Sequence, residues 1–502
     1  MKKGFWKIIV SLVLIFLIML TSCGNKDSKN VYSITYNLDG GHNNVDNPSV
    51  YTTKDIISLK EPTKVGYTFT GWTTDEITIP DKDLIIKKGT KGNKTFTANF
   101  EANTYTITLD TTGYTFTGKK TNTVTYGKPY TFARIGGMYG WLYNDDLITD
   151  NNCFVSSWNI ASDVVLTPFF ASSLYSYIDS TKKSIYFGSY PQKKVSDANI
   201  ISNLNTLAWK LPTSTNSYKW SDYGYYMSGS ISSYMYYIDI DLDDDEIYDY
   251  RGVYFTSYRP FNTSNTSICA KGYQEENYYY QNKVYWFKYE PIKWNILKTE
   301  DNKALIISDL VLDTQDFNYT NKSRSGATDY QGNSTTETVY ANNYMYSHIR
   351  SWLNTTFYDT AFTTLEKEII EITEVDNSVT STESINNLYV CSNTFDKIFL
   401  LSSDEANTYY PYIRTMFSDG PSRRKAQSTD YAKSQGEIGP NTTAYYWLRL
   451  KSSYSYSNEY SGSQYKTYNY ICYISANGDI WGDYQSAVDR LYGVRPACWI
   501  NL

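Results

Sequence analysis

The sequence predicts a multidomain, mainly β protein, in which short-stranded repeat modules precede a longer α+β domain. Three observations carry this expectation. A chain of 502 residues exceeds what one hydrophobic core organises. Its 41% hydrophobic and 20% charged residues describe globular chain rather than bulk disorder. Short alternating apolar–polar runs, broken by Gly, Asn and Asp, fill residues 31–170, and longer mixed elements follow from Ser184.

Charge and composition exclude some functions at once. Lys and Arg number 46 against 52 Asp and Glu, giving a net charge of −6. Such a chain lacks the basic footprint that a phosphate backbone requires, so no nucleic-acid partner is expected. Two readings stand for the 53 tyrosines. One is codon bias in an AT-rich genome; the other is a large stacking and hydrogen-bonding surface.

Lys2, Lys3 and Lys7 open the chain, and the apolar run from Ile8 to Leu20 follows. That run falls short of the roughly 20 residues a membrane span needs and matches a secretory signal over 1–22. Leu20-Thr21-Ser22-Cys23 resembles a bacterial lipobox. The resemblance implies that the Cys23 thiol is lipidated, making the membrane a partner through an N-terminal lipid. The protein then sits on the extracellular face of the cell membrane, with residues 23–30 as a polar tether. Removing the three lysines of the signal takes the net charge from −6 to −9.

Residues 31–101 alternate at Tyr32 to Tyr36 and turn at Asp39-Gly40-Gly41. The segments YNLDGG (36–41), GYTFTGW (66–72) and TFTANF (95–100) resemble the internalin-type B repeat, also called the Listeria–Bacteroides repeat. That resemblance implies a β-grasp-like module used as a stalk or adhesive spacer. A degenerate second copy is expected over 102–170, where Gly140-Trp141 answers Gly71-Trp72. In both copies the tryptophan is expected to fill a small core.

A linker is expected over 171–183 and the α+β domain over 184–502. Strands are expected at 185–192, 248–255 and 284–297, the last interrupted at Glu290-Pro291. The run 304–313 reads as one buried strand. Ile349, Trp352, Leu353 and Phe357 follow helical spacing, and Thr363-Thr364-Leu365-Glu366 is a capping box opening a second helix. Polar loops are expected between 313 and 340 and between 452 and 466. FGSYPQ (187–192), EPIKWNIL (290–297), IRSWLNTTF (349–357), DKIFLLSSDEA (396–406), YWLRL (446–450) and GVRPACWINL (493–502) resemble a family of uncharacterised Gram-positive surface domains. The ending looks like the close of C-type-lectin-like folds, although the sugar-binding triplets of the calcium lectins are missing.

The chemistry is limited. Histidine occurs twice, as His42 and His348, and no G-x-S-x-G surrounds a serine. Cys153, Cys269, Cys391, Cys472 and Cys498 are widely spaced and odd in number, so they read as small buried hydrophobes with open pairing. Glu290, Glu366, Asp396 and Glu405 stand in the recognisable blocks and read as caps or arginine partners. Arg449 and Arg495, inside apolar strands, each require a fixed partner. No cofactor is expected, with calcium as the one candidate. Asp239, Asp241, Asp243 and Asp245 occupy positions 1, 3, 5 and 7 of an EF-type loop. Against it, Asp244 replaces the turn glycine and Tyr250 the bidentate glutamate. The other reading is a strand with Ile238, Ile240 and Leu242 inward and Arg251 relieving the acid repulsion.

The functional expectation is a cell-surface lipoprotein for adhesion or ligand binding, without enzymatic activity. The repeats act as spacer and the C-terminal domain engages a glycan or protein ligand. The alternatives are an envelope glycan-processing enzyme with a carboxylate pair and a purely structural envelope protein.

Overall fold

The computed structural model describes residues 30–144, 146–150, 152–208, 220–222, 225–227, 230–232, 235–242, 247–256, 274–275, 277–318, 323–382, 391–409, 424–436, 443–451, 471–481 and 492–502. Cys23, Cys269, Asp243, Asp245 and the 452–466 loop lie outside them. Two compact units emerge: residues 30–135 with 149–167, and residues 136–148 with the described residues from 168 onward. Strands dominate both. Among the described residues, no helix is long and apolar enough to cross a membrane.

In the first unit, Val31–Asn37 pairs antiparallel with Val50–Thr52 and parallel with Lys94–Ala102. Lys94–Ala102 in turn pairs antiparallel with Tyr67–Thr73. The GYTFTGW segment explains its own spelling. Gly71 has φ +146°, and a Cβ there would lie 2.4 Å from the Asp81 backbone nitrogen. The register shift at Gly71 turns Trp72 fully into a core with Tyr51, Phe69, Phe96 and Ile34. Thr104–Leu109 is wired in the same way as Val31–Asn37. It pairs antiparallel with Thr121–Thr125 and parallel with Val164–Phe169.

The second unit is built on an eight-stranded sheet. Its order is Ser176–Tyr177, Ser184–Lys194, Val284–Glu300, Tyr250–Phe255, Met235–Ile240 and Ser221–Asp222, with Lys303–Ser308 and Ala497–Asn501 branching from Val284–Glu300. A second sheet carries Asp313–Gln315, Tyr492–Val494, Tyr446–Lys451, Ile471–Ile474 and Ile480–Trp481. Helical residues 348–361 and Thr364–Ile369 pack their apolar faces into the shared core through Ile349, Leu353, Phe357 and Ile369. The capping box is present as the sequence spells it. Thr363 accepts from Glu366 N, and Glu366 accepts from Thr363 N at 2.8 Å.

Several expectations change. Val284–Glu300 runs unbroken through Pro291. On one edge its neighbour is Tyr250–Phe255 as far as Lys288, and Lys303–Ser308 from Trp294 onward. Pro291 falls in the interval where the strand changes neighbours, and proline is tolerated where no ladder bond is required. The 304–313 run divides, because after Ser308 the chain turns before Asp313–Gln315. The expected linker is folded: Ser176–Tyr177 is an edge strand on Ser184–Lys194, and Ala171 joins the core. Within the expected 313–340 loop, Arg324–Thr328 and Ser334–Val339 form a hairpin. Leu242 is exposed rather than inward, while Ile238 is buried.

Candidate ligand-binding site

The FGSYPQ segment organises the site. Gly188 has φ +66°, and a Cβ there would meet the Phe362 ring at 2.6 Å and Ala361 O at 2.7 Å. Only glycine fits this left-handed, crowded position. The register of Ser184–Lys194 against Val284–Glu300 shifts between Tyr186 and Ser189, which is a β-bulge. The bulge aims Gly188 N at Glu366 Oε1, 3.0 Å away. Glu366 therefore caps its own helix and holds the bulge, and burial pushes its carboxyl above the ordinary carboxylate value.

Above this contact lies a cavity of about 360 Å³, lined by Leu174, Tyr175, Tyr186, Tyr248, Tyr289, Asp249, Pro291 and Glu366, among others. Its size falls within the range of small-molecule sites. Tyr186 and Ile247 are exposed at 41% and 42%, whereas Tyr289 is 5% exposed. Tyr248 and Tyr289 lie 5.7 Å apart, tilted at 53°. Burial raises the Tyr175 hydroxyl to about 12 and also raises that of Tyr289, so both are protonated at neutral pH. The two carboxylates here are engaged by backbone amides. Asp249 Oδ2 accepts from Leu242 N at 2.9 Å, and Glu366 accepts from Gly188 and Thr363.

A buried network fixes one wall. Tyr289 donates to Asp239 Oδ1 at 2.9 Å. Arg251 meets the same carboxylate through Nε and Nη2, both at 2.7 Å, and reaches the Tyr431 hydroxyl with Nη1. Tyr190, from FGSYPQ, donates to Asp313 Oδ2 at 2.6 Å. Of the candidate calcium residues, Asp239 and Asp241 are described. Asp239 gives both oxygens to a guanidinium, and Asp241 continues the chain at the strand end. The bidentate arginine partner already balances the Asp239 charge, which weakens its pull on a hard cation.

Of the remaining block acids, two act as arginine partners. Asp396 accepts from Arg350 Nε at 2.7 Å, and Glu405 pairs with Arg449 and caps at Ser402. Glu290 is half-buried and offers its backbone carbonyl to Gln192. Arg495 donates to Ser308 O and the Tyr446 hydroxyl. Cys153, Cys472 and Cys498 are buried, and the last two belong to different sheets. His348 lines a separate cavity. Sequence reasoning did not gather the four tyrosines of the site. The available signal was that Tyr186 immediately precedes FGSYPQ and Tyr289 immediately precedes EPIKWNIL.

Comparison with known families places two modules on this geometry. Residues 32–99 match the Listeria-Bacteroides repeat domain. Residues 301–502 match a domain of unknown function, DUF6273. The FGSYPQ and EPIKWNIL strands precede the second match, yet they pair into the same sheet as its Lys303–Ser308 and Ala497–Asn501. No curated protein and no solved structure matches the chain.

Proposed function

We propose that this is a lipid-anchored cell-surface protein whose C-terminal unit binds a ligand, with the repeats as spacer. The observation that carries the reading is the tyrosine-lined cavity behind the Gly188 bulge. Tyrosine rings offer apolar faces to the ring hydrogens of a sugar and hydroxyls to its oxygens. A glycan is therefore the favoured ligand, and a C-type-lectin-like terminal sheet belongs to the same proposal. Lipidation at Cys23 and an extracellular position rest on the lipobox resemblance.

A second reading has one observation in its favour: Glu366, raised by burial, shares the cavity with Asp249. A raised carboxyl sharing a cavity with a second acid is the pattern of glycoside hydrolysis. The backbone amides on both carboxylates favour the binding reading. A glycan array probed with residues 24–502, followed by product analysis of each hit, separates the two. Binding without turnover, in the wild type as in Glu366→Gln, supports the proposal; hydrolysis that Glu366→Gln abolishes overturns it.

A further inference from the structure

A second cavity in the C-terminal unit has a different chemistry. It measures about 380 Å³ and is lined by Arg324, Thr328, Asp329, Tyr346, His348 and Ser351, among others. The Arg324–Thr328 strand supplies one side, and the helical segment starting at His348 supplies another.

The arginines of this unit differ in how their charge is met. Arg251, Arg350 and Arg449 are each 1% exposed, and each has a carboxylate within an ion pair. Arg324 is half-buried and donates Nη2 to the Tyr346 carbonyl at 2.9 Å. Among the described residues no carboxylate pairs with it, and burial lowers its pKa with no acid acting to raise it. The residues just before it, Tyr319-Thr320-Asn321-Lys322-Ser323, contain no acid. A guanidinium has five N–H donors, so this one keeps donors to spare toward the cavity.

Asp329 lines the cavity but does not neutralise Arg324. Its Oδ1 accepts from Gln331 N and Asn333 N, and its Oδ2 accepts from Asn333 Nδ2 and Arg350 Nη1. Arg350 also holds Asp396, so the Asp329 charge is met within the Arg350 network rather than by Arg324. A partly desolvated cation facing a cavity is costly unless an anion completes it. Among anions, a planar carboxylate matches the guanidinium fork in two parallel hydrogen bonds.

We propose that the Arg324 cavity binds the carboxylate of a small organic acid or acidic sugar, at a site separate from the tyrosine cavity. The Arg324 fork takes the carboxylate, while Ser351, Thr328 and His348 supply polar wall for the ligand's remaining atoms.

The test is isothermal titration of residues 24–502 with glucuronate and with lactate, using glucose as the neutral control and inorganic sulfate as the non-planar anion. Glucuronate alone binding saturably points to an acidic sugar; lactate binding equally well points to a simple organic acid. The proposal expects saturable binding of at least one carboxylate, weaker binding of sulfate and no Arg324-dependent binding of glucose. Arg324→Ala should weaken the carboxylate at least tenfold. Arg324→Lys, which keeps the charge but loses the fork, should retain part of the affinity and guards against misfolding of the alanine variant. Tyr248→Ala should leave this binding unchanged, which separates the site from the proposed glycan cavity. No binding of either carboxylate, equal affinity in Arg324→Ala and Arg324→Lys, or sulfate binding as tight as the carboxylates overturns it.

Discussion

Arg350→Met tests whether the charges in the helical and DKIFLL blocks are structural. Arg350 is 1% exposed and donates to Asp396 at 2.7 Å, Asp329 at 3.1 Å, Gln331 Oε1 at 2.9 Å and Met345 O at 2.8 Å. Methionine keeps much of the volume but strands two carboxylates whose side chains are 1% and 0% exposed. Breaking a buried pair from one side costs about 3–5 kcal/mol. That is a large share of the roughly 5–15 kcal/mol that holds a domain together. At about 2.1 cal/mol/K of unfolding entropy per residue, the loss translates to a melting-temperature fall of roughly 4–7 °C for a unit of about 350 residues. The deficit should also depend on pH. Burial already raises Asp396 in the native protein against the pull of Arg350. Without the guanidinium its folded value rises further above the unfolded value of about 3.9. A carboxyl raised on folding contributes stability below its unfolded pKa, and loses it as pH rises through the folded pKa. Arg350→Met should therefore be closer to wild type near pH 4 than at pH 7.5. Urea unfolding followed by tryptophan fluorescence at both pH values reads the effect. A deficit below about 1 kcal/mol at pH 7.5, or one larger in acid, would refute the reasoning.

Three further outcomes are expected. Gly188→Ala should cost roughly 2–5 kcal/mol, combining left-handed strain with overpacking against Phe362, and a melting temperature within 1 °C of wild type (about 1 kcal/mol or less) would show that the bulge does not require glycine. Millimolar calcium and chelator should give superimposable melting curves, because Arg251 occupies Asp239. Asp239→Ala should destabilise by about 3–5 kcal/mol in either buffer by orphaning a buried arginine, whereas a calcium-dependent rise lost in that variant would restore the cation site. Cys23→Ala should abolish incorporation of radiolabelled fatty acid, since the thiol is the acceptor group; undiminished label would defeat the lipobox reading.

Local chemistry made part of this fold legible. The Thr363 capping box, the Gly71-Trp72 core and the need of Arg449 for a partner all follow from residue type and near neighbours. Long-range events did not. Nothing beside Pro291 in sequence reports that its strand changes neighbours there. Ser176–Tyr177 reads as linker because two residues carry no periodicity, and pairing with Tyr186 and Ile185 decides its state. Ala198–Leu207 is a helix in a Ser- and Asn-rich segment, set by its Asp197 cap, which accepts from Asn199 N and Ile200 N. The tyrosine cavity drew on segments from 173 to 366, with no spacing to link them. The Arg350 network was hidden for the same reason, since Asp329 sits in what read as a polar loop.

Ligand binding by the C-terminal unit is proposed to take place in the tyrosine cavity. Its most direct test is the affinity of residues 24–502 for the strongest array-selected glycan, measured by titration against Tyr186→Ala and Tyr248→Ala. Both residues line the rim, so the account predicts melting temperatures within a few degrees of wild type. Removing a stacked ring should weaken binding at least tenfold, equivalent to about 1.4 kcal/mol. Wild-type affinity in both variants, with the fold intact, would contradict it.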